Sequence, residues 1–184
     1  MMDRYRLPER AEFGGVSYEL NTDFRVILKI LEVFEDPSLP EILRWKVALE
    51  LFYYPSIPKA FQTQAMEYLS SFLRYGQPDT PAPRLISWQQ DADAIIAGVN
   101  QAAGQEIRAL AHVHWWTFLS WFHAISQGQL STIVAIRDKL RRGKKLEDWD
   151  KDFYRENKQR VDIKKPLTPE EKREKQRLLE MLES

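Results

Sequence analysis

His114-Trp115-Trp116-Thr117-Phe118 is followed at once by Trp121, Phe122 and His123, so three of the chain's six tryptophans fall within seven residues. Rings of this size are costly to leave in water, so the segment must be buried, either in the chain's own core or against a partner. Read as one helix over residues 106–127, it places Trp115, Phe118, Leu119 and Phe122 together at 100° per residue. Trp116 and His123 lie about 100° off that face, and Trp121 falls on the opposite flank. An ordinary surface helix keeps one apolar stripe. This one is aromatic on more than one side. It is therefore either the central helix of a bundle or a helix that exposes part of itself to a partner, with Trp116 and Trp121 as the candidate partner-binding residues, since tryptophan is a frequent hot spot.

Helical periodicity extends outward in both directions. Phe24, Ile27, Leu28, Leu31 and Phe34 predict a helix over residues 23–35, capped by Asn21 or Thr22, with Asp23 in its first turn. Leu43, Val47, Leu51 and Tyr54 predict an inward stripe on a second helix that begins at Ser38 or Leu39 and runs to Tyr53. Phe61, Ala65, Leu69 and Phe72 mark a third over residues 58–75, with Gly76 as its left-handed cap. A loop with three prolines, residues 77–83, is the best internal hinge. A fourth helix over residues 89–103 stops at Gly104, and a sixth over residues 130–142 follows Gly128. Before all of these, residues 11–20 read as a hairpin turning at Gly14-Gly15, the only sheet expected.

After Gly143 the composition turns to charge. Trp149 and Phe153, at i and i+4, can pin a helix to the body. Thr168, Pro169 and Glu171 form a good helix start, but the segment that follows is apolar only at Leu178, Leu179, Met181 and Leu182. The expectation is an all-α fold: a bundle of about six helices with a short N-terminal β-hairpin (domain 1–163), then a charged C-terminal helical tail (164–184).

The 27 basic residues match 27 acidic ones, so no global field draws the chain to nucleic acid or anionic membrane. The run Arg137, Lys139, Arg141, Arg142, Lys144 and Lys145 is basic, yet acids follow at once, the pattern of a solvated helical face. There is no cysteine for a disulfide, thiolate nucleophile or thiolate metal site. No apolar run approaches the roughly 18 residues of a membrane span, and the first residues lack the apolar core of a signal peptide, so a soluble, intracellular product is expected.

Metal binding and catalysis find no support in the residues. On a helix, His112 and His114 point about 160° apart, and His112 and His123 stand roughly 16 Å apart along the axis. Neither pair chelates one ion, so no metal and no cofactor is expected. Asp91 and Asp93 lie where a helix begins, where capping and the helix dipole account for them. An acid–base pair would need a cleft and a perturbed pKa. No nucleophile elbow or phosphate-binding glycine loop is present. The reading is a non-enzymatic binding protein; a hydrolase or nuclease would require carboxylates or histidines brought together by the fold.

The strings Tyr18 to Arg25 (with Asn21, Asp23, Phe24 and Arg25), Asp91 to Ile95, His114 to Phe118, and Ile136-Arg137 resemble, in order and spacing from residue 16 to 163, a family of small helical tail-morphogenesis proteins of long-tailed bacteriophages and prophages of Gram-positive bacteria. The resemblance implies a tail-assembly chaperone, encoded beside the tape-measure gene, that coats the tape-measure protein in the host cytoplasm. The partners implied are the tape-measure protein or other tail proteins, with a homo-oligomer also open. The alternative is a structural tail or connector component retained in the virion. In this reading His114, Trp115 and Phe118 are mainly structural, and the segment from Pro166 onward is not obviously required by the family pattern.

Overall fold

A computed structural model describes residues 5–77 and 83–164, together with positions 170, 173, 174, 177, 180 and 181. The expected tail helix and most of the proline loop fall largely outside these residues.

The chain opens with β1 (Arg10–Phe13) and β2 (Val16–Leu20), an antiparallel hairpin. Gly14 and Gly15 turn it at φ 59° and 79°, the positive angles a two-residue hairpin loop needs. A Cβ on Gly14 would stand 2.2 Å from the Phe61 ring, so the turn also requires glycine for close approach. Ala11, Phe13, Tyr18 and Leu20 face the core with period two. A third strand, β3 (Tyr53–Tyr54), pairs with Glu19 and Leu20. The sheet thus has three strands in the order β1-β2-β3, which corrects the all-α, hairpin-only expectation. Tyr53 is buried and donates its hydroxyl to Ala65 O at 2.9 Å; burial pushes that phenol's pKa well up.

Eight helices lie among the described residues, against about six expected. α1 (Phe24–Glu35) buries Phe24, Ile27 and Ile30. Its cap is Asp23, whose carboxylate accepts the Arg25 amide, and neither Asn21 nor Thr22 takes that place. Asn21 instead donates its backbone N–H to Phe52 O, tying the sheet to the second helix. α2 (Glu41–Phe52) buries Ala48, Leu49 and Phe52, leaving Leu43 and Tyr54 of the expected stripe exposed. α3 (Gln62–Leu73) buries Ala65, Leu69 and Phe72 as its spacing indicates. α4 (Ala92–Ala103) buries Ile95 and Val99 and ends on Gly104 in the left-handed region.

The predicted helix over residues 106–127 is much shorter. A 3-10 turn at Ile107–Ala109 and an extended run precede α5 (Trp115–His123). Backbone pairing across to α1 replaces helical bonding in that run: Phe24 N donates to Val113 O, and Trp115 N donates to Thr22 O. α5 then packs against α1 and α4.

α6 (Gln129–Arg141), α7 (Asp148–Glu156) and α8 (Lys158–Val161) complete the described fold. Ile133, Ile136 and Val161 form a satellite cluster with Leu146, Phe153 and Tyr154, separate from the main core. Of the expected α7 pins, Phe153 joins this cluster, whereas Trp149 remains 63% exposed and stacks on Phe153.

Candidate functional site

The motif residues assemble into two nodes, and both hold the fold together. In the first, residues 21–25 meet residues 107–118. The Asp23 carboxylate accepts the Val113 amide at 3.1 Å and the Arg25 guanidinium at 2.9 Å. Arg25 in turn donates to the carbonyls of Arg108 and Leu110 at 3.1 and 2.6 Å. Arg25 thereby satisfies carbonyls that the broken helix leaves without helical partners. His114 is the α5 N-cap: Nδ1 accepts the Trp116 amide at 3.0 Å, and Nε2–H donates to Pro8 O at 3.2 Å. These bonds fix the neutral tautomer, and burial lowers the His114 pKa. Phe118 stacks on Phe24, with ring centroids 5.0 Å apart, and on Trp115 at 5.3 Å.

His112 and His114 therefore do not share a helix: His112 lies in the extended run, so the 160° separation expected on a helix does not apply to them. His112 bonds Thr22 Oγ1 instead. Among the described residues, no group of three or more His, Cys, Asp or Glu side chains could hold a metal.

The second node joins Asp91 to Arg137. Asp91 occupies the α4 cap position without making a side-chain capping bond there, contrary to the capping expectation. Its carboxylate accepts the Ser87 amide at 2.9 Å and two bonds from Arg137, at 2.6 and 2.9 Å. Arg137 also donates to the carbonyls of Leu85, Arg160 and Val161, so all five of its N–H groups are engaged. Both side chains are buried, which withdraws Arg137 from the solvated basic face expected for it. Asp93 is exposed in the first turn of α4, and it forms no pair with Asp91.

Trp116 is buried, 1% exposed, and its indole N–H donates to Phe72 O at 2.9 Å. Its ring is therefore closed to a partner in this fold, because the core occupies every side of it. Trp121 is half-buried and packs on the main core.

Exposed apolar surface gathers on α2 instead. A groove of about 940 Å³ runs between α2 and α3. Leu49 and Ile57 form its floor with the half-buried Trp45 and Met66, and Ile42, 78% exposed, stands on its wall. Glu41, Lys46, Glu50 and Lys59 line it too, and none of them makes an ion pair among the described residues. A smaller cleft of about 550 Å³ lies beside α6, but its charged residues, Asp138 and Arg142, are paired with each other. The α2 sequence carries a signal for the groove: Ile42, Leu43, Trp45, Val47, Ala48, Leu49, Leu51 and Phe52 are more apolar groups than one covered stripe accommodates.

Residues 4–163 match the model of a family described as Bacteriophage Gp15 protein. No curated protein and no solved structure matches the chain.

Proposed function

The chain belongs to the bacteriophage Gp15 protein family, and from that premise we propose that it is a non-catalytic tail-assembly protein, a chaperone that holds the tape-measure protein in the host cytoplasm until the tail tube forms. The observation that carries this reading is the apolar surface left open on α2, where Ile42 and Leu43 face solvent beside the groove. A holdase needs such a surface on a stable body, and it releases its client by mass action without chemistry. The buried or half-buried titratable groups of the two nodes, Asp23, Arg25, Asp91, His114 and Arg137, hold the elements together. Among the described residues, no helix is long and apolar enough to cross a membrane.

The test is co-expression with the tape-measure protein of the same phage. A soluble complex is expected, with the tape-measure protein insoluble alone. Tape-measure behaviour that is the same with and without this chain sinks the reading. Purified particles supply the second measurement: a chaperone is missing from them, whereas a tail or connector component remains.

A further inference from the structure

We infer, resting on the tail-chaperone reading, that the α2–α3 groove seats one amphipathic α-helix of the partner, with about three apolar side chains at i, i+3 or i+4, and i+7. Three features of the groove select this occupant.

The first is length. Glu41 and Glu50 lie nine residues apart on α2, about 14 Å of helix at roughly 1.5 Å per residue. A helix laid alongside places two to three turns, and so about three side chains of one stripe, over Trp45, Leu49 and Met66.

The second is backbone chemistry. Two of its walls are the helices α2 and α3, which present no strand edge for a ladder, and the segment of Ser56, Ile57 and Lys59 that closes it belongs to no strand. An extended peptide would lose water from its own N–H and C=O groups without gaining partners. A helix arrives with those groups already satisfied.

The third is charge. Glu41 and Glu50 bring two negative charges, Lys46 and Lys59 two positive ones, and all four are unpaired among the described residues. A phosphate polymer would meet both carboxylates, and an anionic bilayer would find a concave surface with no net positive charge. A helix whose apolar stripe is flanked by both signs satisfies every one of these groups.

The test uses the full chain with the tape-measure protein of its own phage as probe. Ile42→Asp places a charge on a wall residue that the fold leaves in solvent, so circular dichroism and the unfolding midpoint stay unchanged. It should weaken tape-measure capture by about tenfold or more. Lys46→Glu, also exposed, is the second variant and should weaken capture more at low salt than at high salt. Trp149→Ala, exposed outside the groove, should capture as the wild type does. If the wild type captures the tape-measure protein and both groove variants capture it equally well, the groove assignment fails while the chaperone reading stands. If the wild type captures nothing, both fail. If light scattering shows an oligomer of the isolated chain that Ile42→Asp splits to monomers, a second copy occupies the groove and the inference is overturned.

Discussion

His114 caps α5 only with a neutral ring, because Nδ1 must accept the Trp116 amide. Burial is the largest cause of its lowered pKa, with His112 lowering it further and Pro8 O and Glu9 opposing. The folded chain therefore takes up this proton less readily than the unfolded chain, whose histidine has the ordinary value of 6.5. The stability this provides is complete above pH 6.5 and is lost as pH falls through the folded-state pKa. Unfolding midpoints at about pH 7.5 and about pH 5.5 should differ more for the wild type than for His114→Asn, whose side chain caps without titrating. Equal differences would remove His114 from the account. Asp91 and Arg137 make a second prediction. Asp91→Asn leaves a buried guanidinium without its counter-charge and should cost about 3–5 kcal/mol in urea unfolding. Asp91→Asn combined with Arg137→Met should cost less than the two single changes added, and strict additivity would contradict a coupled pair. Sequence reading selected both strings but missed their union. A carboxylate at a helix start has a sufficient local explanation in capping, whereas its partner here stands 46 residues away.

At the scale of elements, periodicity reports which helices exist, and packing decides how far they run and which side they bury. The core of α3 follows its spacing, whereas α1 buries Phe24 and Ile27 as expected but adds Ile30 from outside the expected stripe and leaves Leu28, Leu31 and Phe34 half-buried, because its apolar face is wider than one stripe. α2 is apolar nearly all round, so its covered face depended on where α1 and α3 came to lie. The α5 helix lost its N-terminal half because Asp23 and Arg25, some ninety residues earlier, bind the backbone of residues 107–113. α7 and α8 show the same dependence on distant groups. Beyond the satellite cluster, α8 is held by Arg137 and by Gln90, whose side-chain N–H₂ donates to the carbonyls of Gln159, Arg160 and Asp162. So small a buried cluster makes α7–α8 the first unit expected to open. Gln90→Ala should raise amide exchange across residues 148–162 several-fold while α1, α3 and α5 exchange as before. Uniform acceleration throughout would show instead that α7–α8 opens only with global unfolding.

At the scale of the molecule, the main core binds the sheet and α1–α5 into one body, and five of the six tryptophans pack in or on it. Trp116 and Trp121 drew attention in the sequence as surface candidates because aromatic density there exceeds what one stripe buries. In the fold, α1, α3 and α4 together surround α5, so that density became core. The groove was hard to foresee for the converse reason: of its lining only Leu43 belonged to the inward stripe expected on α2, and Ile42, Trp45 and Leu49 lay outside that stripe. Trp45 makes the difference measurable. It packs edge-on against Phe34, with ring centroids 4.8 Å apart, and its other side lines the groove. A partner helix seated there removes water from this indole, so complex formation should shift tryptophan emission to shorter wavelength. Trp45→Phe should abolish most of that shift while leaving capture within a few-fold of the wild type, because the substituted ring keeps the apolar floor. Trp121→Phe should leave the shift intact. The opposite pattern, a shift that survives Trp45→Phe and disappears with Trp121→Phe, would return the partner surface to α5, at the part of Trp121 that the core leaves open.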